Sequence, residues 1–144
     1  MKRLTLTAAI AASMVQMTAY ALTEVSGDYT ISGSVAYPVR FTGDANLTIA
    51  ANATTYLGVV TNDGHNVTIN LEDGCACQVS WFESLNGGTT TVNFKGGKFT
   101  DAGGWGSYWF KADSESCVVN LVSVDGNTFD LPERDAVKLT LVEP

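Results

Sequence analysis

The sequence predicts an all-β chain whose short parallel strands stack into a solenoid, and three observations lead to that prediction. After Ala21, no window repeats apolar residues at the three-and-four spacing of an amphipathic helix, whereas β-branched residues and glycine occur throughout. Short apolar alternations come about every ten residues, separated by turn pairs such as Asp63-Gly64 and Gly96-Gly97. Finally, an apolar-polar-apolar triplet with Thr or Asn in its centre returns along the chain.

The first 21 residues have the pattern of an export signal. Lys2 and Arg3 provide a positive start, residues 4–21 carry no charge, and the run ends in the small-x-small sequence Ala-Tyr-Ala that signal peptidase accepts. The run is weakly apolar for a membrane span, and no basic residue follows it to stop transfer. We therefore expect cleavage after Ala21, an exported protein, and no membrane span in the mature chain.

The mature chain, residues 22–144, is long enough for a single domain with its own core. Lys2 and Arg3 leave with the signal, so 6 basic residues face 15 acidic ones and the formal charge is −9. An acidic surface of this kind repels phosphate backbones, which argues against nucleic acid as a partner.

The recurring triplet gives the solenoid its expected geometry. Successive triplets begin 18, 20, 25, 27 and 20 residues apart, which is the period of a repeat that holds two or three strands. Each triplet is expected to lie directly over the last, about 4.8 Å along the axis, with its two apolar residues inward and its centre outward. The six triplets are Tyr29-Thr30-Ile31, Leu47-Thr48-Ile49, Val67-Thr68-Ile69, Val92-Asn93-Phe94, Val119-Asn120-Leu121 and Leu139-Thr140-Leu141.

This geometry predicts which side chains are buried and how many coils there are. The inward set is Ile49, Val67, Ile69, Val92, Phe94, Val119, Leu121 and Leu139, and the outward set is Thr48, Thr68, Asn93 and Asn120. Counting one coil for each triplet gives a short right-handed parallel β-helix of about five to six coils. Regular short strands also fit an antiparallel β-sandwich, which is the alternative fold.

The phrases "GDYTISGSV", "NLTIAAN", "HNVTINLEDG" and "TVNFKGGKFTD" resemble the degenerate parallel β-helix repeats of bacterial secreted adhesins and autotransporter passenger domains. The resemblance covers most of residues 27–131. It implies an extracellular, cell-surface or periplasmic location in a bacterium and a role in adhesion, with a glycan or a cell-surface protein as the partner. A minority of that group are polysaccharide lyases or other enzymes.

The chain offers few residues for catalysis or metal binding. Its one histidine, His65, lies in an Asp-Gly-His-Asn turn, and no G-x-S-x-G or His-based zinc motif appears. Carboxylates at Glu72-Asp73, Asp101 and Asp113 to Glu115 are expected to be solvated turn acids. We predict no catalytic residues, no metal site and no cofactor. A small polysaccharide-processing enzyme using Asp101 or Asp113 is the third functional hypothesis.

The segment "KGGKFTDAGGWGSYWFKAD", residues 95–113, is the candidate binding loop. It fills the longest interval between triplets and carries Trp105, Tyr108 and Trp109 beside five glycines. Exposed aromatic rings on a loop offer flat apolar faces for sugar rings or a partner's side chains. These three residues are the predicted binding residues, and they also carry the second hypothesis, a secreted carbohydrate-binding β-sandwich. The main hypothesis is an exported, non-catalytic structural or adhesin-like surface module.

The three cysteines give a further expectation. Cys75 and Cys77 share one face of a strand, where a direct bridge is badly strained. The coil places Cys117 two steps from them, roughly 9–10 Å along the axis, whereas a disulfide needs Cα atoms within about 7 Å. The solenoid therefore predicts three free thiols, and a sandwich would permit a bridge to Cys117.

Overall fold

The computed structural model describes residues 22–33, 38–101, 110–128 and 140–142, and within those ranges it contains strands and turns but no helix. The predicted signal segment, Leu139 and the three predicted binding aromatics lie outside the described residues. The strands are β1 (Thr23–Ile31), β2 (Val39–Ile49), β3 (Thr54–Asp63), β4 (Asn66–Leu71), β5 (Ala76–Leu85), β6 (Thr89–Phe94), β7 (Lys98–Asp101), β8 (Phe110–Ala112), β9 (Val118–Ser123) and β10 (Thr140–Val142).

The strand pairings are all parallel and join the ten strands into one continuous sheet. A sandwich of hairpins would show antiparallel ladders, so the alternative fold is wrong and the parallel β-solenoid is confirmed. Long strands take part in two ladders because the chain bends partway along them. For example, residues 39–41 of β2 pair with β3, and residues 45–49 pair with β4.

The ladders fall into three columns. Column A contains residues 23–25, 39–41, 60–62, 82–84 and 110–112. Column B contains residues 27–31, 45–49, 67–71, 90–94, 119–123 and 140–142. Column C contains residues 54–56, 76–78 and 98–100.

The chain visits columns C, A and B in that order, and it completes about three turns. The expected five to six coils counted every triplet as a full turn. Only three levels of column B, at β4, β6 and β9, are preceded by described segments in both column C and column A. The levels of β1 and β2 have described segments in columns A and B alone.

The triplets stack in column B, but their register differs from the expected one. Leu47 lies opposite Ile69, and Ile69 lies opposite Val92, so the ladder is offset by two residues from the triplet alignment at each of these steps. Because side chains alternate with a period of two, an offset of two leaves every inward residue inward. The corners set the offset, since residues such as Ala45 and Thr90 before the triplets also occupy inward, buried positions.

The core is the row of inward side chains along the axis. Of the eight residues predicted to be buried, six are at most 2% exposed, namely Ile49, Val67, Ile69, Val92, Phe94 and Leu121. Val119 is partly buried against the core. The four predicted outward residues Thr48, Thr68, Asn93 and Asn120 are half-buried rather than exposed, because each lies between neighbouring side chains of adjacent levels. Phe99 of the third turn packs edge-on against Phe82 and Phe94 of the second turn.

The corner between columns B and C requires left-handed backbone at matching positions. Asn52, Gly74 and Gly96 have φ of 60°, 73° and 97°, and backbone hydrogen bonds from Asn52 N to Asp73 O and from Gly74 N to Gly96 O tie the levels together. A Cβ on Gly97 would meet the Cys75 sulfur and the backbone of Glu72. The recurring Gly and Asn of the sequence therefore make the corners narrow enough to stack.

No helix within the described ranges is both long and apolar enough to cross a membrane.

Candidate functional site

The predicted binding loop is anchored on one strand, although its aromatic residues lie outside the part of the chain that the structure describes. β7 ends at Asp101 and β8 begins at Phe110, and both strands pair with β5. The segment between them therefore starts and finishes beside β5. Nothing further is described for Trp105, Tyr108 and Trp109.

β5 itself carries an aromatic ring on its outer side. Trp81 and Phe82 are adjacent on β5 and face opposite ways: Phe82 is 4% exposed in the core, whereas Trp81 is half-buried on the outer side of the strand, next to column A. The Trp81 indole Nε1 donates to Glu83 Oε1 at 3.2 Å. Glu83 Oε2 in turn accepts a hydrogen bond from Thr61 Oγ1 at 3.3 Å. The Glu83 carboxylate, which itself accepts from Thr61, thus fixes the orientation of the Trp81 indole.

The outer row of column A around this tryptophan alternates in charge. Cross-strand neighbours in this row are Glu24, Arg40, Thr61, Glu83 and Lys111. Arg40 also donates to Asp63 Oδ2 at 3.1 Å, and both side chains are solvated, so the pair contributes little to stability. Scattered in sequence, these charges become an ordered row only through the stacking.

The outer side of column B carries a ladder of amides. Asn93 Nδ2 donates to Asn70 Oδ1 at 2.9 Å, and Asn70 Nδ2 donates to Asn46 Oδ1 at 2.7 Å. Asn46 Nδ2 then donates to Asp28 Oδ1 at 3.3 Å. Each amide therefore points its donor toward the first level, and the ladder ends on the exposed carboxylate of Asp28.

Threonine and asparagine hold most of the other outward positions on this side, which we call the amide face. Asn120 Nδ2 donates to Thr91 Oγ1 at 3.4 Å. The amide face consists of Asp28, Thr30, Asn46, Thr48, Thr68, Asn70, Thr91, Asn93 and Asn120, at the outward positions of column B. Successive levels repeat about every 4.8 Å, and neighbours along a strand about every 6.6 Å. The arrangement is a fixed grid of hydrogen-bond donors and acceptors.

The sequence prediction missed this ladder as a unit. It placed Asn93 outward correctly but assigned no role to Asn46 or Asn70. Their separations of 24 and 23 residues follow the repeat period, and that periodicity was the available signal. The two-residue register offset hid it, because the triplet alignment placed Thr68, rather than Asn70, over Thr48.

The corner between columns A and B is closed by a buried asparagine. Asn62 is 2% exposed, accepts a hydrogen bond from His65 N, and places Nδ2 3.0 Å from both His65 O and Thr90 Oγ1. In the next turn, Ser84 Oγ donates to Gly88 O at 3.1 Å. His65 thus contributes main-chain groups to this corner, as expected of a turn residue.

Two aspartates are hydrogen-bonded on the outside of the same corner. The Asn86 side chain donates to Asp63, and this bond, followed by the Arg40 guanidinium, lowers the pKa of Asp63. The Asn86 backbone N–H donates to both oxygens of Asp113, and with the Cys117 thiol it lowers the pKa of Asp113. Both carboxylates are therefore charged. Their hydrogen bonds stabilise the corner and do not prepare either group for proton transfer.

The remaining candidate acids are placed elsewhere. Glu72, at the corner between columns B and C, accepts a hydrogen bond from Lys95 Nζ at 3.2 Å. Asp113 follows β8 at the other corner, so these two acids do not form a carboxylate pair. Within the described residues, no group of three or more His, Cys, Asp or Glu side chains is arranged to hold a metal ion.

All three thiols are free, and they lie in two environments. Cys75 and Cys77 are buried in column C, where burial raises the pKa of the Cys75 thiol and raises that of Cys77 strongly. Cys117 is half-buried at the corner between columns A and B, and its sulfur lies 3.2 Å from Ser84 O and 3.3 Å from Asp113 Oδ1, either of which can accept its one hydrogen. The arrangement agrees with the solenoid's expectation of unbridged cysteines.

No protein-family model, curated protein or solved structure matches the chain.

Proposed function

We propose that the chain is an exported, non-catalytic, adhesin-like surface module that binds through the amide face. The observation that carries this proposal is the ladder from Asn93 through Asn70 and Asn46 to Asp28. Export rests on the leader pattern of residues 1–21, and adhesion rests on the resemblance of the repeats to those of secreted bacterial adhesins. The expected partner is a glycan or a cell-surface protein.

The ladder supports binding because it orders the side chains before a ligand arrives. An amide that already donates to its neighbour loses little conformational freedom on binding, and the exposed members of the ladder, Asn46 and Asp28, present their remaining groups to solvent. A hydroxyl-rich polymer or a polar protein surface presents groups that match such a grid. Hydrogen bonding spread over several levels gives an avidity that no single contact supplies.

The test is a glycan array and a cell-adhesion assay with variants of the amide face. Thr68→Ala and Thr91→Ala together remove two outward hydroxyls without touching the core, and we expect binding to fall by about tenfold. Thr54→Ala, on the exposed outer side of column C, is the matched control and should bind as the parent chain does. Equal binding by all three proteins would contradict the role of the amide face.

A second candidate function is carbohydrate binding by aromatic rings in the solenoid, with Trp105, Tyr108 and Trp109 as the binding residues. It is supported by the anchoring of that segment on β5 and by the fixed indole of Trp81 on the same strand. Replacing the three loop aromatics by alanine should abolish glycan binding if this candidate is correct. Loss in the aromatic variant together with retention in the Thr68/Thr91 variant would favour it over the amide face.

The non-catalytic part of the proposal has its own test. Incubation with a panel of polysaccharides should release no new reducing ends or unsaturated products. Turnover that disappears in Asp101→Asn or Asp113→Asn would instead support the polysaccharide-processing hypothesis.

A further inference from the structure

We propose that Asn86 is a modification site at which the folded chain loses ammonia, and that Asp63 restrains this deamidation. The inference goes beyond the proposed function and does not depend on it. Asn86 and Gly87 form the one Asn-Gly pair in the sequence, and they lie at the corner between columns A and B, after β5 and before β6. The Asn86 side chain is exposed, so water can reach it.

The reaction is a ring closure followed by hydrolysis. Gly87 N gives up its proton and bonds to the side-chain carbonyl carbon of Asn86, Cγ, while the amide nitrogen takes a proton and leaves as ammonia. The resulting five-membered imide ring then takes up one water. Opening at Cγ gives aspartate, and opening at the main-chain carbonyl gives isoaspartate, in which the chain runs through Cβ. Glycine favours the closure because no Cβ shields its nitrogen.

The turn that holds this pair is one peptide rotation away from the reactive geometry. Asn86 and Gly87 have φ of 51° and 76°, and Gly88 N donates to Leu85 O at 3.0 Å, as in a type I′ turn. Rotating the Asn86–Gly87 peptide gives a type II′ turn, in which ψ of Asn86 changes from about +30° to about −120°. The rotation brings Gly87 N to the same side as the Asn86 Cβ. The positive φ of Asn86 and the closing hydrogen bond are compatible with both turns.

The surroundings leave room for this rotation. Gly64, in the adjacent level, faces the Asn86 carbonyl, since a Cβ built on Gly64 would lie 3.3 Å from Asn86 O. Because Gly64 has no side chain, that oxygen can move as the peptide turns. Gly87 can follow the rotation because glycine adopts φ of either sign.

Asp63 controls the second requirement, the position of the amide. The Asn86 side chain donates to Asp63 Oδ1, and Arg40 donates to Oδ2 of the same carboxylate at 3.1 Å. A hydrogen bond to a charged acceptor is stronger than one between neutral groups. While it is made, the amide is held on the adjacent level, and Cγ reaches Gly87 N only after the bond breaks.

Asp113 contacts the same residue without this effect. Both of its carboxylate oxygens accept from the Asn86 backbone N–H at 3.1 Å. That N–H belongs to the peptide before Asn86, which does not rotate in the reaction. Asp113 therefore provides a control with the same charge at the same corner.

Asn52 provides an internal control at another corner. It is also exposed and left-handed, with φ of 60°, but alanine follows it. Ala53 N donates to Ala50 O at 3.1 Å, so the nitrogen that would attack is already bonded and is shielded by a Cβ. Asn52 should keep its amide as long as the chain is folded.

Deamidation replaces an attractive contact by a repulsive one. The new carboxylate at position 86 faces Asp63, to which the amide had donated, and two adjacent carboxylates repel each other. Isoaspartate also lengthens the main chain immediately before β6. Because β6 carries Thr91 and Asn93, the change is transmitted to the strand that follows the corner.

The experiment incubates the folded full chain at mildly alkaline pH and follows the conversion of amide to acid at residue 86 by peptide mapping with mass spectrometry. The same chain in denaturant gives the unrestrained rate, and the folded chain should react more slowly. Folded Asp63→Ala should react about tenfold faster than the folded parent, because the amide has lost its charged acceptor. In denaturant the two chains should react equally fast.

Folded Asp113→Ala should stay within about twofold of the parent, since it removes an equal charge but leaves the side-chain contact intact. Circular dichroism confirms that each variant is folded, and the Asn52 peptide in the same digest reports any general opening of the chain. Equal rates for the folded parent and Asp63→Ala would overturn the proposal. So would equal acceleration by Asp113→Ala, or a faster reaction at Asn52 that accompanies the one at Asn86, because either result removes the specific role of Asp63.

Discussion

One inward row of column B is buried to different extents at the first level and in the middle turns of the solenoid. Tyr29 on β1 is 41% exposed, while Leu47 and Ile69, its successors in the same row, are 0% exposed. The strands differ little in sequence pattern. Val25 and Ile31, two other inward residues of β1, are 0% and 4% exposed, so at this level it is the position of Tyr29, and not the whole strand, that is left uncovered.

The largest loss of stability should come from truncating a side chain in the middle of the core row. Ile69→Ala leaves a cavity between two levels that cannot close on it, and we expect the free energy of unfolding to fall by about 2–5 kcal/mol. Tyr29→Ala, in the same row at the first level, should cost less than about 1 kcal/mol because this side chain is half-exposed. Urea unfolding at a concentration below any self-association measures both. Equal losses would show that the first level is as well covered as the middle.

Thr68→Ala serves as the outward control for this pair. It lies next to Ile69 on β4 but faces away from the core, and it should change the stability by no more than about 0.5 kcal/mol. A large loss here would mean that the outer grid, and not only the inner row, holds the levels together.

Cys77, in the interior of a turn, should be labelled about a hundredfold more slowly than Cys117, at a corner. Cys77 reacts only when the chain opens, because burial both shields it and raises its pKa, whereas Cys117 is half-buried at a corner. Native alkylation at neutral pH followed by peptide mapping gives the two rates. After denaturation without a reductant all three thiols should label. A bridge between Cys117 and Cys75 or Cys77 would contradict the stack.

Removing the buried corner asparagine should be the next largest change. Asn62→Ala leaves His65 N and the surrounding carbonyls without their partner in a buried site, and we expect a loss of about 1–3 kcal/mol. Asn46→Ala, in the solvated amide ladder, should cost about 0.5–1 kcal/mol because water replaces the lost bonds. Thermal unfolding of both variants compares them. A larger loss of stability in Asn46→Ala would show that the ladder serves mainly to stabilise the fold rather than to bind a partner.

The sequence predicts the strand content, the parallel stacking and the inward residues. A register error of two residues leaves the inward residues unchanged, because side chains alternate with a period of two. It does not predict the register itself. Leu47 lies over Ile69 rather than Val67 because the corners that follow β2 and β4, residues 50–53 and 72–75, are hydrogen-bonded to each other and so align the ends of the two strands. The amide ladder depends on that register, so Asn46 and Asn70 could not be connected from the triplets alone. The Trp81–Glu83–Thr61 contact likewise requires knowing that β3 and β5 are neighbours.

The smallest effect concerns the charged corner, and its sign follows from the pKa of Asp63. Hydrogen bonding by Asn86 and the nearby Arg40 lower that pKa below its ordinary value of 3.8. The stability it contributes is therefore fully present above 3.8 and is lost as the pH falls through the lower pKa of the folded chain. Asp63→Asn lacks this titration, so the variant should be slightly less stable at neutral pH, and its deficit should shrink as the pH drops below 3.8. Asp28→Asn, at the exposed end of the amide ladder, controls for the change in net charge. Urea midpoints measured across this range decide the matter, since a deficit that stays constant or grows in acid would show that the Asp63 carboxylate does not support the corner in its charged form.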